Sequence, residues 1–139
     1  MATFAKFNSF VEAVAEQAHN LGSDTLKVML TNTAPEAANT VKADITEISA
    51  GNGYTAGGSQ ATQSSSAQSA GVYKLVCADV VFTASGGSIG PFRYAVLYND
   101  TATNDELIGY WDYGSAITLS SGGTFTVDFS ASNGVLTIT

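Results

Sequence analysis

The stretch from Gly90 to Gly114, GPFRYAVLYNDTATNDELIGYWDYG, constrains the fold more than any other part of the chain. Two runs of strand-forming residues, Phe92 to Tyr98 and Leu107 to Tyr113, flank a polar loop, Asn99 to Glu106. Side chains alternate across an extended backbone, so Phe92, Tyr94, Val96 and Tyr98 fall on one face and Arg93, Ala95 and Leu97 on the other. In the second run Leu107, Gly109, Trp111 and Tyr113 share a face, opposite Ile108, Tyr110 and Asp112. Both faces are largely apolar, which suits central strands covered on both sides better than exposed edges. The aromatics bring a large apolar area and need partners for their polar tips. A hairpin is expected here, as the core around which the sheets pack, with no evident reactive group.

Strand signals recur at short intervals around this hairpin. Thr25 to Thr31 places Leu26, Val28 and Leu30 on one face, and Val72 to Thr83 reads as one long strand. Ser85-Gly86-Gly87-Ser88 turns the chain into the hairpin. After it come strands at Ala116 to Ser120 and Thr124 to Ser130, with Gly122-Gly123 as the turn between them. Asn133-Gly134 is a strong hairpin signal, closed by Val135 to Thr139. Thr40 to Ile48, beyond a loop marked by Pro35, reads equally as a short strand or a turn of helix. The expected class is mainly β, an antiparallel sandwich or jelly roll of about eight strands with one N-terminal amphipathic helix.

That helix is expected over 4–21. Phe4, Phe7, Val11, Val14, Ala18 and Leu21 recur in steps of three and four and draw one apolar stripe. Ser9 with Glu12 makes a candidate capping box, Gly22 a candidate left-handed stop, and His19 a terminal polar residue in the last turn. The stripe has two candidate partners, the protein's own sheet or copies of itself.

From Ser49 to Gly71 the chain is rich in Gly, Ser, Gln and Thr and lacks apolar periodicity. Residues 55–71 are expected as a flexible or polar arm, or as a polar strand whose apolar partners come from another subunit. The glycines are not followed by the Lys-Ser/Thr of a phosphate-cradling loop. The whole chain, 1–139, is read as one domain with its main β region at 72–139.

Charge narrows the function classes. Lys plus Arg total 5 against 12 Asp plus Glu, a net charge of −7. That balance disfavours nucleic-acid binding, which needs a basic footprint, and adsorption to anionic lipid. No stretch approaches the roughly 20 apolar residues of a membrane-spanning helix. The N-terminus, interrupted by Lys6, Glu12 and Glu16, lacks the apolar run of a signal peptide, so a soluble protein that stays in the producing cell is expected. Cys77 is the sole cysteine and sits in an apolar run, as a small buried hydrophobe would.

Reactive constellations are sparse. Asp100, Asp105 and Glu106 with Asn99 and Asn104 are the densest oxygen cluster, but Ala102 breaks the alternation of a calcium loop and its glycine is missing. Asp44 and Glu47 are too loosely spaced for an acid–base pair on a strand. Trp111 and Tyr110, if exposed, would make a stacking platform for a carbohydrate. Nucleophile elbows, zinc-protease motifs and paired Cys/His spacings are missing, and any catalytic triad would have to use His19. No catalytic residue, cofactor or metal is expected.

Two stretches carry a resemblance. DTLKVMLTNTAP (Asp24 to Pro35) with ADITEISAGNGYTAGG (Ala43 to Gly58), and GGSIGPFRYAVLYNDTA (Gly86 to Ala102) with LIGYWDYG (Leu107 to Gly114), resemble small virion structural proteins of tailed bacteriophages. The resemblance implies a β-rich protein made in the bacterial cytoplasm, assembled into the virion and bound to other coat components. Within it, a capsid decoration or cement protein is favoured, a homo-oligomer (dimer or trimer) that binds the major capsid protein. A tail, neck or baseplate component is the alternative, and a carbohydrate-binding sandwich the third. The expected partner contacts are Phe4, Phe7, Val11 and Val14 on the stripe, and Gln60, Thr62, Gln63, Ser65 and Gln68 on the arm.

Overall fold

The core hairpin forms where the sequence places it, from β7 (Ile89–Asn99) and β8 (Leu107–Leu119), but Phe92 and Leu107 lie on the faces opposite to those their alternation predicts. The structure, a computed structural model, describes residues 2–139; among them are ten strands in antiparallel sheets and one short helix, α1 (Phe10–Ala15). The other strands are β1 (Phe4–Lys6), β2 (Leu26–Thr31), β3 (Ser59–Gln60), β4 (Gln63–Ser69), β5 (Val72–Cys77), β6 (Val80–Thr83), β9 (Thr124–Val127) and β10 (Leu136–Ile138). A five-stranded sheet runs β1-β8-β7-β2-β3, beside a three-stranded sheet β10-β5-β4 and a pair β6-β9. Ile117, which the sequence assigns to a separate strand, belongs to the continuous β8 and pairs with Phe92.

Both faces of the hairpin are buried, and bulges decide which side chain goes to which face. Leu97 pairs with Gly109 but Tyr98 with Leu107, so Ile108 is an extra residue on β8. The insertion moves Leu107 off the face of Trp111 and brings Ile108 onto it. A second irregularity, between the pairs Tyr94–Asp112 and Phe92–Ile117, puts Phe92 with Ala95 and Leu97 rather than with Val96 and Tyr98. One face, with Phe92, Ala95, Leu97, Ile108 and Trp111, shares a core with Leu75 and Cys77 of β5, Phe82 of β6 and Val127 of β9, in a sandwich-like arrangement. The opposite face carries Met29, Val96, Tyr98 and Leu107 under Phe7 and Ile45.

The N-terminal helix is shorter than the 4–21 its periodicity predicts. Phe4–Lys6 is extended and pairs with β8, Phe4 opposite Trp111 and Lys6 opposite Gly109. Open backbone groups on the edge of β8 offer hydrogen bonds over a distance that local periodicity cannot register. Ser9 is the N-cap, but its side chain makes no cap bond, so the box with Glu12 does not form. The left-handed residue after the helix is Gln17 (φ 65°), not Gly22. The stripe is split accordingly, Phe7 packing into one core cluster and Leu21 into the other.

Residues 55–71 are ordered into β3 and β4 rather than a flexible arm. The partner of β4 is β5 of the same chain, through a tight turn at Ala70 (φ 50°) and Gly71 (φ 82°). The predicted long strand 72–83 is two, because the chain leaves β5 at Ala78-Asp79 and enters a different sheet as β6. The Asp79 carboxylate accepts the Phe129 backbone N–H at 2.8 Å, fixing that corner. Asn133-Gly134 does not close a hairpin: β9 pairs with β6, and β10 crosses to β5. The ambiguous 40–48 segment holds a single 3₁₀ turn at Lys42–Asp44, with Val41 bridged to Glu106.

Candidate interaction surface

Between Glu47 and Lys74 the chain contains no charged residue, and this run folds into β3, β4 and the start of β5. Most of β4 is exposed, and it is the outer strand of its sheet. Serine and glutamine at these positions satisfy their polar groups with water, so the strand is held by backbone pairing to β5 instead of by side-chain burial. Gln63 anchors its start, donating from Nε2 to the carbonyls of Leu21 (3.1 Å) and Asp24 (2.7 Å). Gln68 Oε1 accepts the Gly71 N–H at 3.2 Å and holds the turn. Ser66 Oγ lies 2.8 Å from the Tyr73 hydroxyl.

Beside this strand lies a cleft of about 600 Å³ whose walls include Val14, Leu21, Ser66, Tyr73 and Ile138. It brings the C-terminal end of the helix segment against the β10-β5-β4 sheet. Two regions singled out separately in the sequence, the N-terminal stripe and the Ser/Gln arm, therefore meet through Val14 and Ser66.

The individual candidates divide. Val11 is 57% exposed and Val14 half-buried, so both are open to a partner. Gln60, Thr62, Ser65 and Gln68 are exposed, while Gln63 is occupied by its internal bonds. Phe7 is fully buried and cannot be a contact; it packs against Tyr110 with ring centroids 5.1 Å apart. Phe4 is half-buried and packs on Trp111 at 5.2 Å, at the margin of the core. Sequence reasoning missed Tyr73 and Ile138, because only the pairing of Ile138 with Tyr73 brings the chain's end to this wall.

The groups examined for chemistry have structural partners. Asp44 accepts the backbone N–H groups of Thr40 (2.9 Å) and Val41 (3.2 Å), which holds its carboxyl below the usual range. Glu47 instead takes the Tyr54 hydroxyl at 2.7 Å and the Gly57 N–H at 2.6 Å. In the hairpin tip Asp100 pairs with Lys27 at 3.0 Å. The tip is not simply a solvated turn: the Asn99 side chain is completely buried, with Nδ2 donating to Asp24 Oδ2 at 2.6 Å. His19, expected as a terminal polar residue in the last turn of the helix, lies beyond the helix end and is buried beside Asn99. Arg93 grips Asp112 through two hydrogen bonds of 2.8 and 3.0 Å and holds that carboxyl low. Trp111 is 8% exposed and packs against Phe4 and Phe129, so it presents no stacking platform for a sugar. Among the described residues no helix is long and apolar enough to cross a membrane. In comparisons with protein families, curated proteins and solved structures, nothing matches this chain.

Proposed function

We propose that this chain is a structural protein of a tailed-phage virion, a capsid decoration or cement protein that binds the major capsid protein and stabilises the shell. The observation that carries the reading is the meeting of the helix end and the uncharged polar strand at one cleft, through Val14 and Ser66. A cleft with apolar walls at Val14, Leu21 and Ile138 and polar ones at Gln17, Asn20 and Ser66, beside a neutral polar strand, suits insertion of an apolar side chain from a repetitive protein surface, surrounded by hydrogen bonds. The strand itself carries none of the chain's charges, and the phage-like stretches 86–102 and 107–114 supply most of the central hairpin. The protein would be made in the host cytoplasm and end on the capsid surface, acting by contact and not by catalysis.

The test is addition of purified protein to expanded capsids of its own phage. Binding with a raised capsid melting temperature is expected, weakened by Val14→Asp. Absence of binding, or labelled protein found by electron microscopy only on the tail, neck or baseplate, overturns the capsid assignment.

A further inference from the structure

The edges of the sheets differ in a way that points to a partner. β1, β3 and β10 span 3, 2 and 3 residues, and β6 and β9 span 4 each. β4 spans 7 residues, as the outer strand of its sheet, with no proline and no charge. Soluble proteins usually protect such an edge by shortness, a charged side chain, a proline or a covering loop. β4 has one irregularity, between Gln63 and Ser65, and is otherwise in regular register from Ser65 to Ser69.

We infer that β4 pairs antiparallel with β4 of a second copy of this chain, joining two three-stranded sheets across a two-fold axis. Three observations favour a copy over another partner. An antiparallel pair of identical strands is self-complementary, the hallmark of an isologous interface. With the axis at Ser66, Ser65 faces Ala67 of the copy within the regular part of β4, so small and neutral groups meet and no like charges are opposed. The uncharged run from Ile48 to Tyr73 also gives a chain of net charge −7 a place where two copies approach without repulsion at the contact.

The pairing has a geometric consequence. Residues directly opposite in an antiparallel pair project to the same side, so the two Ser66 side chains, and the two clefts they line, face one way. Such a dimer would grip a repetitive surface at two points at once. The pairing itself does not rest on the capsid assignment, since the isolated protein displays it.

The experiment is sedimentation equilibrium of the full chain over a concentration series, starting from the 14.3 kDa monomer mass. A doubling of mass is expected, abolished by Ser66→Lys, which sets two lysines directly opposite across the axis, and retained in Ser121→Lys, which puts the same charge on an exposed turn. Lysine lowers the net negative charge, so loss of the dimer cannot come from added overall repulsion. Ser66→Cys is expected to give a disulfide-linked dimer on mild oxidation, while Ser121→Cys does not. A monomer at every concentration, or a dimer unaffected by Ser66→Lys, overturns the inference. Capsid addition by a protein that stays monomeric would leave the proposed function standing without this interface. A strand-paired dimer that ignores capsids would do the reverse.

Discussion

Asn99 Nδ2 lies 3.1 Å from His19 Nδ1, joining two residues 80 positions apart in the chain. Asn99 Oδ1 accepts the backbone N–H groups of Thr101 (2.9 Å) and Ala102 (3.1 Å), which fixes the amide's orientation and makes Nδ2 the donor. His19 Nδ1 is then an acceptor, and the neutral ring carries its proton on Nε2, which makes no hydrogen bond among the described residues. This contact ties the end of the helix segment to the hairpin tip and gives the fold a pH-sensitive point.

Burial lowers the His19 pKa, against the opposing pull of the Glu106 and Asp24 charges. A depressed folded-state pKa means the unfolded chain binds the proton more readily. The stabilising contribution is present above the unfolded value, about 6.5, and is lost as pH falls through the folded value. Urea midpoints are therefore expected to drop between pH 7.5 and 5.5, above the range where most carboxylates titrate. His19→Gln should flatten that slope, and an unchanged slope would remove His19 as its source.

Asn99→Ala removes the donor to the Asp24 carboxylate and the acceptor for two backbone amides in a buried site. The expected loss is about 2–3 kcal/mol, the scale of a hydrogen bond to a charged group with stranded partners. Equilibrium urea unfolding measures it. Asn99→Asp should cost at least as much, because it sets a second carboxylate against Asp24.

Gly109 faces Lys6 in the β1–β8 pairing, and a Cβ there would overlap the Phe4 ring and crowd the Ala5 carbonyl. Gly109→Val is expected to release β1 and uncover Trp111, which Phe4 covers. Tryptophan emission should be blue-shifted and protected from iodide in the native protein, where Trp111 is buried, and red-shifted and accessible in the variant. Native-like quenching in the variant would show that β1 stays in place.

Burial pushes the Cys77 thiol up to about 11, so thiolate is scarce at pH 8. Iodoacetamide is expected to leave Cys77 unmodified in the native protein and to alkylate it in urea. Prompt native labelling would mean that the core opens readily around β5.

Legibility in the sequence followed the range of the interactions. In Phe92–Tyr98 and Leu107–Tyr113 alternation is strong on both faces, and the residues form the buried hairpin it predicts. Leu26, Val28 and Leu30 share a core face as their spacing requires. In the Phe4–Leu21 stripe, by contrast, helical spacing competes with the open edge of β8, and the edge takes Phe4–Lys6. The candidate surface was half readable: Val14 and Ser65 stand out by type, but the wall formed by Tyr73 and Ile138 depends on a strand from the far end of the chain. His19 beside Asn99 had no local sign at all.

By itself, the amino-acid order determined what can be written one residue at a time. That covers the mainly β class, the double-faced hairpin, the turns at Gly86 and Gly122 and the gap in charge from Ile48 to Tyr73. Tertiary structure alone decided which strand each edge receives, where Ile108 bulges and turns Leu107 to the other face, and that the polar segment pairs with β5 of its own chain. The physical reason is that strand backbones satisfy their hydrogen bonds with distant partners, so pairing is settled by the geometry of the whole sheet rather than by the residues nearby.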